Sequence, residues 1–130
     1  MARGVSVVLD ASALLAVLLD EPGAEMVISV MRGSALSAVN ASETFQRAAD
    51  KGHQTQRVLA LLQGLEIEVA PFTMDHAIAA ADLRPATKAA GLSLGDRACL
   101  ALAAERRATV YTGDRRLAGV DIGLELRLIR

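Results

Sequence analysis

The fold class of this chain follows from residues 5–19, which read VSVVLDASALLAVLL. Val5 to Leu9 is β-branched, almost entirely apolar and too short for a helix, so it predicts a buried strand. Ala11 to Leu19 has the composition of a helix, and the turn signal Asp20-Glu21-Pro22-Gly23 ends it. Asp10 therefore lies where a buried strand ends and a helix begins.

The same order of strand and helix repeats along the chain. Further strands are predicted over Ala35–Ala38, Ile67–Ala70, Thr109–Thr112 and Glu125–Ile129. Further helices are predicted over Ala24–Met31, Ala41–Asp50 with Asn40 as its cap, Thr55–Leu62, Asp75–Ala90 with a kink or break at Pro85, and Gly95–Arg107 with Ser93 as its cap. Strands alternating with helices are typical of a mainly parallel sheet covered on both faces.

Size and composition limit the class of protein. The chain has 130 residues, 52% of them hydrophobic and 22% charged, which predicts one ordered domain over residues 1–130. No apolar run approaches the ~18 residues of a membrane span, and the N-terminus lacks the pattern of a signal peptide. The single cysteine, Cys99, excludes an internal disulfide and agrees with a reducing compartment, so we expect a cytoplasmic protein.

Acidic side chains lie at the ends of predicted strands or in the first turns of the helices that follow: Asp10, Glu43, Asp96 and Asp114. Ligands of open parallel sheets bind at this position, outside the carboxyl ends of the strands. If the four carboxylates converge, only a cation between them makes their mutual repulsion tolerable. The pattern therefore predicts a divalent-metal site.

Each of these acids also has an ordinary structural explanation. Asp10 could cap the following helix, and the last of the four could be a turn aspartate. Glu43, at the third position of its predicted helix, could pair with Arg47 four residues later. Asp96 could form a capping box with Ser93. One shared cause accounts for all four positions more economically than four separate ones.

Net charge and motifs narrow the choice of ligand. The formal charge is −1, but a cation bound by the four acids would leave a surface with more basic than acidic groups. Nearly all basic residues are arginine, which suits phosphate recognition, although genome composition explains this equally well. Aromatic residues make up 2% of the chain, so base stacking is not the expected mode of binding. No GxxxxGK[ST] or GxGxxG motif occurs, which removes the common nucleotide-binding loops.

Four segments, in this order, resemble the PIN-domain ribonucleases, and most closely the VapC-type toxins of type II toxin–antitoxin pairs. The segments are VVLDASALL at 7–15, SAVNASE at 37–43, LSLGDRACLALA at 92–103 and VYTGDRRL at 110–117. The resemblance spans nearly the whole chain and implies a three-layer α/β/α PIN-like domain. One departure is the stretch Ala41–Phe45, which is less aliphatic than is usual after the asparagine.

The resemblance also implies an activity, that of a Mg²⁺- or Mn²⁺-dependent endoribonuclease hydrolysing RNA phosphodiester bonds. The acidic quartet of the family falls on the four acids named above, with Asp10, Asp96 and Asp114 as the implied metal ligands. Glu43 would then orient or deprotonate the attacking water. The small polar companions that position acids, waters or a phosphate oxygen are Ser12, Asn40 and Thr112. Candidates for contact with the RNA backbone are Arg97, Arg115 and Arg116.

Partners follow from the same resemblance. A ribonuclease of this kind implies a cognate antitoxin protein, and members of the family usually form homodimers. The early helices offer apolar residues for such an interface, although burial in the core explains them equally well: Leu14, Leu15, Leu18, Val27 and Val30.

Two other classes of protein compete with this interpretation. A phosphotransfer or receiver-like domain also gathers acids at strand ends, but it should show an Asp-x-Asp pair or a lysine after a late strand. Neither Lys51 nor Lys88 follows a strand. A non-catalytic PIN-like module that binds RNA or protein is the stronger rival. Such a module would normally have lost one or more of the acids, whereas this chain keeps all four.

Overall fold

The computed structural model describes residues 6–130 and contains a central sheet of five strands. The strands are β1 (Val7–Leu9), β2 (Ala35–Ser37), β3 (Glu68–Ala70), β4 (Thr109–Thr112) and β5 (Leu126–Leu128). They lie in the order β3-β2-β1-β4-β5, and every neighbouring pair is parallel. Val5, at the start of the first predicted strand, lies outside the described residues.

This strand order shows where the crevice lies that binds ligands in other open parallel sheets. The chain moves from β1 through β2 to β3 on one side, and then returns to β4 and β5 on the other side. Such a reversal opens a crevice at the carboxyl ends of the two strands beside it, here β1 and β4. Asp10 and Gly113 are the residues that follow these two strands.

Helices cover both faces of the sheet. They are α1 (Ala11–Leu18), α2 (Ala24–Ile28), α3 (Ala38–Asp50), α4 (Thr55–Gly64), α5 (Met74–Asp82), α6 (Arg84–Thr87), α7 (Leu94–Arg106) and α8 (Arg115–Ala118). Leu9 and Leu36 point into a core with α1 to α4, whereas Val8 and Val110 point into a second core with α7. The period of two along the strands produces this division. The predicted three-layer α/β/α architecture with a parallel sheet is confirmed.

The predicted start of α3 is wrong. The helix begins at Ala38 rather than Ala41, because Ser37 at the end of β2 is its cap and accepts a hydrogen bond from Val39 N at 3.2 Å. Asn40 is therefore a buried residue of the first turn, 1% exposed, and Glu43 lies in the second turn. Several cap-forming residues follow one another here, so the sequence alone did not identify which of them caps the helix.

Other boundaries also differ from the predictions. The helix expected over Asp75–Ala90 with a kink or break at Pro85 is indeed broken into two, α5 and α6. The break lies at Leu83, and Pro85 lies in the first turn of α6, where its missing N–H is harmless. The short helix α8 was not predicted at all. No helix within residues 6–130 combines the length and the apolar character that crossing a membrane requires.

The apolar residues suggested for a dimer interface lie inside the molecule. Leu14 and Val27 are 0% exposed, Leu15 and Leu18 are buried as well, and all four belong to the core between α1 and α4. Val30 is half-buried. The suggestion of an interface at these four side chains is wrong, because α1 and α2 use their apolar faces to cover the sheet.

Candidate active site

The four acidic side chains selected from the sequence line one cleft of about 240 Å³ beyond the ends of β1 and β4. Its lining residues are Asp10, Ala11, Ser12, Asn40, Glu43, Arg47, Ser93, Asp96, Asp114 and Arg116. The acids come from four places: the end of β1, the first half of α3, the start of α7 and the start of α8. The parallel topology brings these places to one edge of the sheet.

Asp10 is the buried acid of the cleft, with 4% of its surface exposed. It caps α1, since Oδ1 accepts hydrogen bonds from Ala13 N at 2.9 Å and from Ser12 Oγ at 2.6 Å. Oδ2 accepts a hydrogen bond from Thr112 Oγ1. Burial raises the pKa of Asp10 in spite of these three donors, and the negative charge of Asp96 adds to the effect. The capping role and the place in the cleft are thus compatible, and no cationic side chain among residues 6–130 forms an ion pair with this carboxylate.

Ser12 and Thr112 join the two strand ends across the sheet. Ser12 Oγ donates to Asp10 and accepts a hydrogen bond from Gly113 N at 2.8 Å. Thr112 Oγ1 donates to Asp10 and accepts from Asp114 N at 3.0 Å. Each hydroxyl uses its hydrogen on the carboxylate and its lone pair on the backbone of the β4–α8 connection. The position of Asp114 is therefore coupled to that of Asp10.

Glu43 is held by Asn40 and by close packing on α7. Asn40 Nδ2 donates to Glu43 Oε1 at 2.9 Å and to Gly95 O at 3.1 Å. A Cβ atom on Gly95 would lie 2.5 Å from Glu43 Oε2, so the carboxylate occupies the space that a side chain would fill. Arg47 makes no ion pair with Glu43 within 4.0 Å, so in the described part of the chain the pair that the spacing suggested is not formed.

Asp96 lies in the first turn of α7, where the helix dipole favours a negative charge. It forms a capping box with Ser93: Ser93 Oγ accepts from Asp96 N at 3.2 Å, and Asp96 Oδ2 accepts from Ser93 N at 2.9 Å. The other oxygen, Oδ1, accepts no hydrogen bond from residues 6–130. One oxygen thus anchors the side chain, and the other is available to a ligand.

Asp114 caps α8 and carries its own counterion. It accepts hydrogen bonds from Arg116 N at 2.8 Å and from the guanidinium of Arg116, with Nη2 at 3.1 Å from Oδ2. Burial raises the pKa of Asp114, but the hydrogen bonds and the charge of Arg116 outweigh it, so the pKa lies below its usual range. The Arg116 side chain is 60% exposed, so solvent screens this ion pair.

Comparison with known proteins identifies the family. The model of the PIN domain family matches residues 7–123. The chain belongs to the PIN domain family. A search of curated protein sequences finds no match. The PIN domain suggested by the sequence motifs is confirmed.

Solved structures share the fold of this PIN domain. A toxin–antitoxin complex from Klebsiella pneumoniae superposes with a TM-score of 0.72 at 24% identity, over 88% of this chain and 92% of the other. VapC20 of Mycobacterium tuberculosis, described as a Sarcin-Ricin loop cleaving toxin, gives 0.72 at 16% identity over 89% and 97%. DNA-bound VapBC from Salmonella typhimurium gives 0.69 at 17% identity over 98% and 100%. At these identities the likeness concerns the fold.

The three arginines suggested as RNA contacts have different positions in the PIN domain. Arg116 lines the acidic cleft. Arg115 is exposed on α8 and does not line it. Arg97 turns away from the cleft, and its Nη1 donates to Ala80 O at 3.0 Å, which joins α7 to the end of α5. This contact gives Arg97 a packing role between the two helices.

Two residues of the site were not selected from the sequence. Gly95 makes room for Glu43, and Arg47 lines the cleft without pairing with an acid there. The signal for Gly95 was a glycine near the start of a helix, where it costs helical stability and thus indicates a packing requirement. For Arg47 the spacing from Glu43 pointed to an ion pair, and only the side-chain conformations exclude it.

The donors of the cleft fit a hydrated Mg²⁺ or Mn²⁺ ion. No three His, Cys, Asp or Glu side chains within residues 6–130 form a preformed cage. Mg²⁺ needs only one or two carboxylates, since it retains several of its waters. The cleft supplies carboxylate oxygens from four side chains, and the buried Oδ1 of Asn40 has no hydrogen-bond partner in the described part of the chain. An orphaned acceptor at this place suits a water molecule held by a cation.

Proposed function

We propose that this PIN domain is a divalent-metal-dependent endoribonuclease that hydrolyses RNA phosphodiester bonds and acts as the toxin of a toxin–antitoxin pair. The observation that carries the proposal is the convergence of four carboxylates, one of them nearly fully buried, at the crevice beside β1 and β4. A fold without a ligand gains nothing from burying the Asp10 carboxylate beside other acids, because burial disfavours its charged form.

The proposed ligands of Mg²⁺ or Mn²⁺ are Asp10, Asp96 and Asp114. When bound, such an ion acidifies a water molecule and neutralises charge on the reacting phosphate. Asp10 is oriented by Ser12 and Thr112, whose hydroxyl groups both donate to it. These bonds fix the carboxylate before any ligand arrives, which is the preorganisation that a catalytic site requires.

The proposed role of Glu43 is to orient the attacking water and accept its proton. Asn40 holds Oε1 of this carboxylate, and Oε2 lies against the backbone of Gly95. Arg116 is proposed to leave Asp114 when a cation enters and to bind a phosphate of the RNA, for which its planar fork is suited.

The proposed partner is a cognate antitoxin protein. The structures described as a toxin–antitoxin complex and as VapBC, which share this fold, support this part of the proposal. A basic side chain of the antitoxin would find opposite charge in the acidic cleft, which would also exclude the substrate. We also propose that the protein acts in the cytoplasm, consistent with the free thiol of Cys99.

A homodimer is also proposed, but its interface must differ from the one suggested by the sequence. Met74 and Ile78 are 76% and 54% exposed on one face of α5, and Leu94 at the start of α7 is 51% exposed. Large apolar side chains that the monomer leaves in solvent are suited to association.

Calorimetric titration of Mn²⁺ into the purified protein tests the proposal without requiring the RNA target. We expect binding to wild type and no binding to Asp10→Asn or Asp96→Asn. Asp121→Asn is the matched control, since it removes an exposed acid outside the cleft and should bind as wild type does. If Mn²⁺ binding survives in both cleft variants, the metal does not reside among these acids.

A second candidate function is a non-catalytic PIN-like module that binds RNA or protein. The ion pair between Arg116 and Asp114 favours it, because the cleft then carries part of its own positive charge. A folded wild-type protein, free of any partner, that binds no Mn²⁺ would support this module and exclude the nuclease.

A further inference from the structure

A groove of about 270 Å³ adjoins the acidic cleft and runs between α1 and α3. Its lining residues are Ser12, Leu15, Leu19, Glu21, Arg47, Asp50, Lys51 and Arg130. Ser12 and Arg47 line both the groove and the cleft, so the two form one continuous depression. A chain molecule whose reacting atom lies at the acids would continue into this groove.

The face of α3 towards the groove presents an acid followed by two cations. Glu43 and Arg47 are four residues apart on one side of α3, about 6 Å along its axis, and Lys51, four residues further, is the C-cap of the helix. Neither Arg47 nor Lys51 makes an ion pair within the described residues 6–130. Both side chains are exposed, and their charges are therefore available to a ligand.

A third cation closes the groove beside the end of β4. Arg130 donates to Pro22 O at 2.9 Å and lies 3.9 Å from Glu21, and its guanidinium fills the space next to Gly113. The groove thus holds three cationic and two acidic side chains, the latter being Glu21 and Asp50. Cations therefore outnumber acids in the groove, whereas four acids outnumber two arginines in the cleft.

We propose that this groove binds the ribonucleotide next to the scissile phosphate, with its phosphate on Arg47 and Lys51 and its sugar against Leu15 and Leu19. The inference rests on the proposed nuclease function. A cleft lined by four acids repels the RNA backbone, so the affinity for RNA must come from cations nearby. No aromatic side chain lines the groove, so the proposed contacts are to phosphate and sugar rather than to stacked bases.

The test compares two pairs of charge removals. Arg47→Ala/Lys51→Ala removes the cations of the groove. Arg57→Ala/Lys88→Ala removes one arginine and one lysine that are equally exposed and line neither the groove nor the cleft. Both are made with Asp96→Asn, which prevents cleavage under the proposed mechanism. Binding of a fluorescein-labelled pool of random 12-nucleotide single-stranded RNA is followed by anisotropy at several salt concentrations.

We expect the groove variant to bind the RNA pool about tenfold more weakly than the parent and to lower the salt slope by about 0.7, which corresponds to the one phosphate held by the two cations. The control pair should change both quantities much less. Equal losses of RNA affinity in the two double variants would mean that RNA binding depends only on net charge. Unchanged RNA binding in the groove variant would mean that the groove does not bind RNA and is instead available to a protein partner. Either result overturns the inference.

Mn²⁺ calorimetry on the wild-type protein and on Arg47→Ala/Lys51→Ala separates the two possible failures. Binding of Mn²⁺ by both, without any selective loss of RNA, overturns the groove inference and leaves the nuclease proposal standing. A parent protein that binds no RNA overturns the groove inference as well. If the wild type also binds no Mn²⁺, the nuclease proposal fails with it.

Discussion

At the scale of single residues, Asp10 serves the fold and the proposed reaction at once. It caps α1 through Ala13 N, and it lies almost fully buried in the acidic cleft. A structural role alone would be filled as well by Asn or Ser, which cap helices without a charge. Burying an ionised carboxylate in that position costs free energy, and a bound metal ion would offset this cost.

Replacing Asp10 by Asn should stabilise the metal-free protein at neutral pH. Burial raises the pKa of Asp10, so the folded state holds its proton more tightly than the unfolded state. The free energy of unfolding of wild type therefore falls as pH rises from the ordinary pKa of the carboxyl to the raised one. The loss is about 1.4 kcal/mol for each pH unit of that interval.

Thermal melts in EDTA between pH 4 and pH 8 would measure this difference. Asp10→Asn should melt above wild type at the upper end of the range and approach it at the lower end. Asp121→Asn, which removes an exposed acid, should show no such divergence. A variant that melts below wild type at pH 8 would contradict the picture of an uncompensated buried charge.

Gly95 should be required for activity through the position of Glu43. A methyl group at residue 95 would lie 2.5 Å from Glu43 Oε2, so Gly95→Ala must displace the carboxylate. We expect RNA cleavage to fall by about 10² or more, as for other misplaced proton acceptors. Mn²⁺ affinity should be retained, because Glu43 is not among the proposed ligands.

The matched control for this substitution is Gly64→Ala. Gly64 ends α4, and a Cβ there would meet no atom within 4 Å. Cleavage kinetics and Mn²⁺ calorimetry on both variants give the comparison. Full activity in Gly95→Ala would show that Glu43 does not need its observed position.

At the scale of elements, the capping box of α7 connects helix stability to the site. Ser93 fixes the first turn of the helix, and Asp96 accepts a hydrogen bond from Ser93 N with Oδ2, while Oδ1 accepts none within residues 6–130. The β4–α8 connection works in a similar way, since Asp114 caps α8 and is tied to Thr112 through its backbone N–H. Helix starts thus present three of the four acids.

Removing the caps of two different helices, one at a time, should distinguish effects on the stability of the fold from effects on metal binding. Ser93→Ala and Thr73→Ala each delete a side chain that accepts a hydrogen bond at the start of a long helix, α7 and α5 respectively. Each should lower the free energy of unfolding by about 1 kcal/mol. Only Ser93→Ala should also weaken Mn²⁺ binding, because Asp96 then loses its anchor.

Chemical denaturation and Mn²⁺ calorimetry on the two cap variants test this prediction. The variant at Thr73 controls for any effect of lower stability on binding. If both substitutions weaken Mn²⁺ binding to the same extent, the capping box has no specific part in holding Asp96.

At the scale of the whole molecule, the order of the strands determines where the acidic cleft lies. The reversal between β1 and β4 opens the crevice, and α3 and α7 bring Glu43 and Asp96 to it from opposite faces of the sheet. The same arrangement places the groove between α1 and α3 next to the cleft. A ligand that binds there contacts elements from most of the chain, so its binding should stabilise the fold globally.

Mn²⁺ or Mg²⁺ should therefore raise the melting temperature of the protein. At a free metal concentration of 100 times Kd, the expected gain is about 2.7 kcal/mol. Differential scanning fluorimetry with increasing MnCl₂ would show the rise in wild type and in Asp121→Asn, but not in Asp10→Asn. An equal rise in all three proteins would indicate a site elsewhere on the molecule.

The sequence by itself determined the alternation of strands and helices, the parallel sheet and the selection of the four acids. These features are local: a strand of period two, a turn and a helix are each encoded in a short segment, and parallel strands all end at the same edge. The roles of the acids stay predictions, as does the single domain over residues 1–130. The family motifs, being contiguous segments, were readable for the same reason.

Only the tertiary structure decided how these residues meet. Asn40 reaches Gly95 across 55 positions of the chain, and Thr112 reaches Asp10 across 102. Arg47 lines the groove instead of pairing with Glu43, and Arg97 donates a hydrogen bond to α5. The apolar residues of α1 pack in the core. Local sequence does not fix such outcomes, because each depends on which distant side chain or backbone atom packing brings within reach.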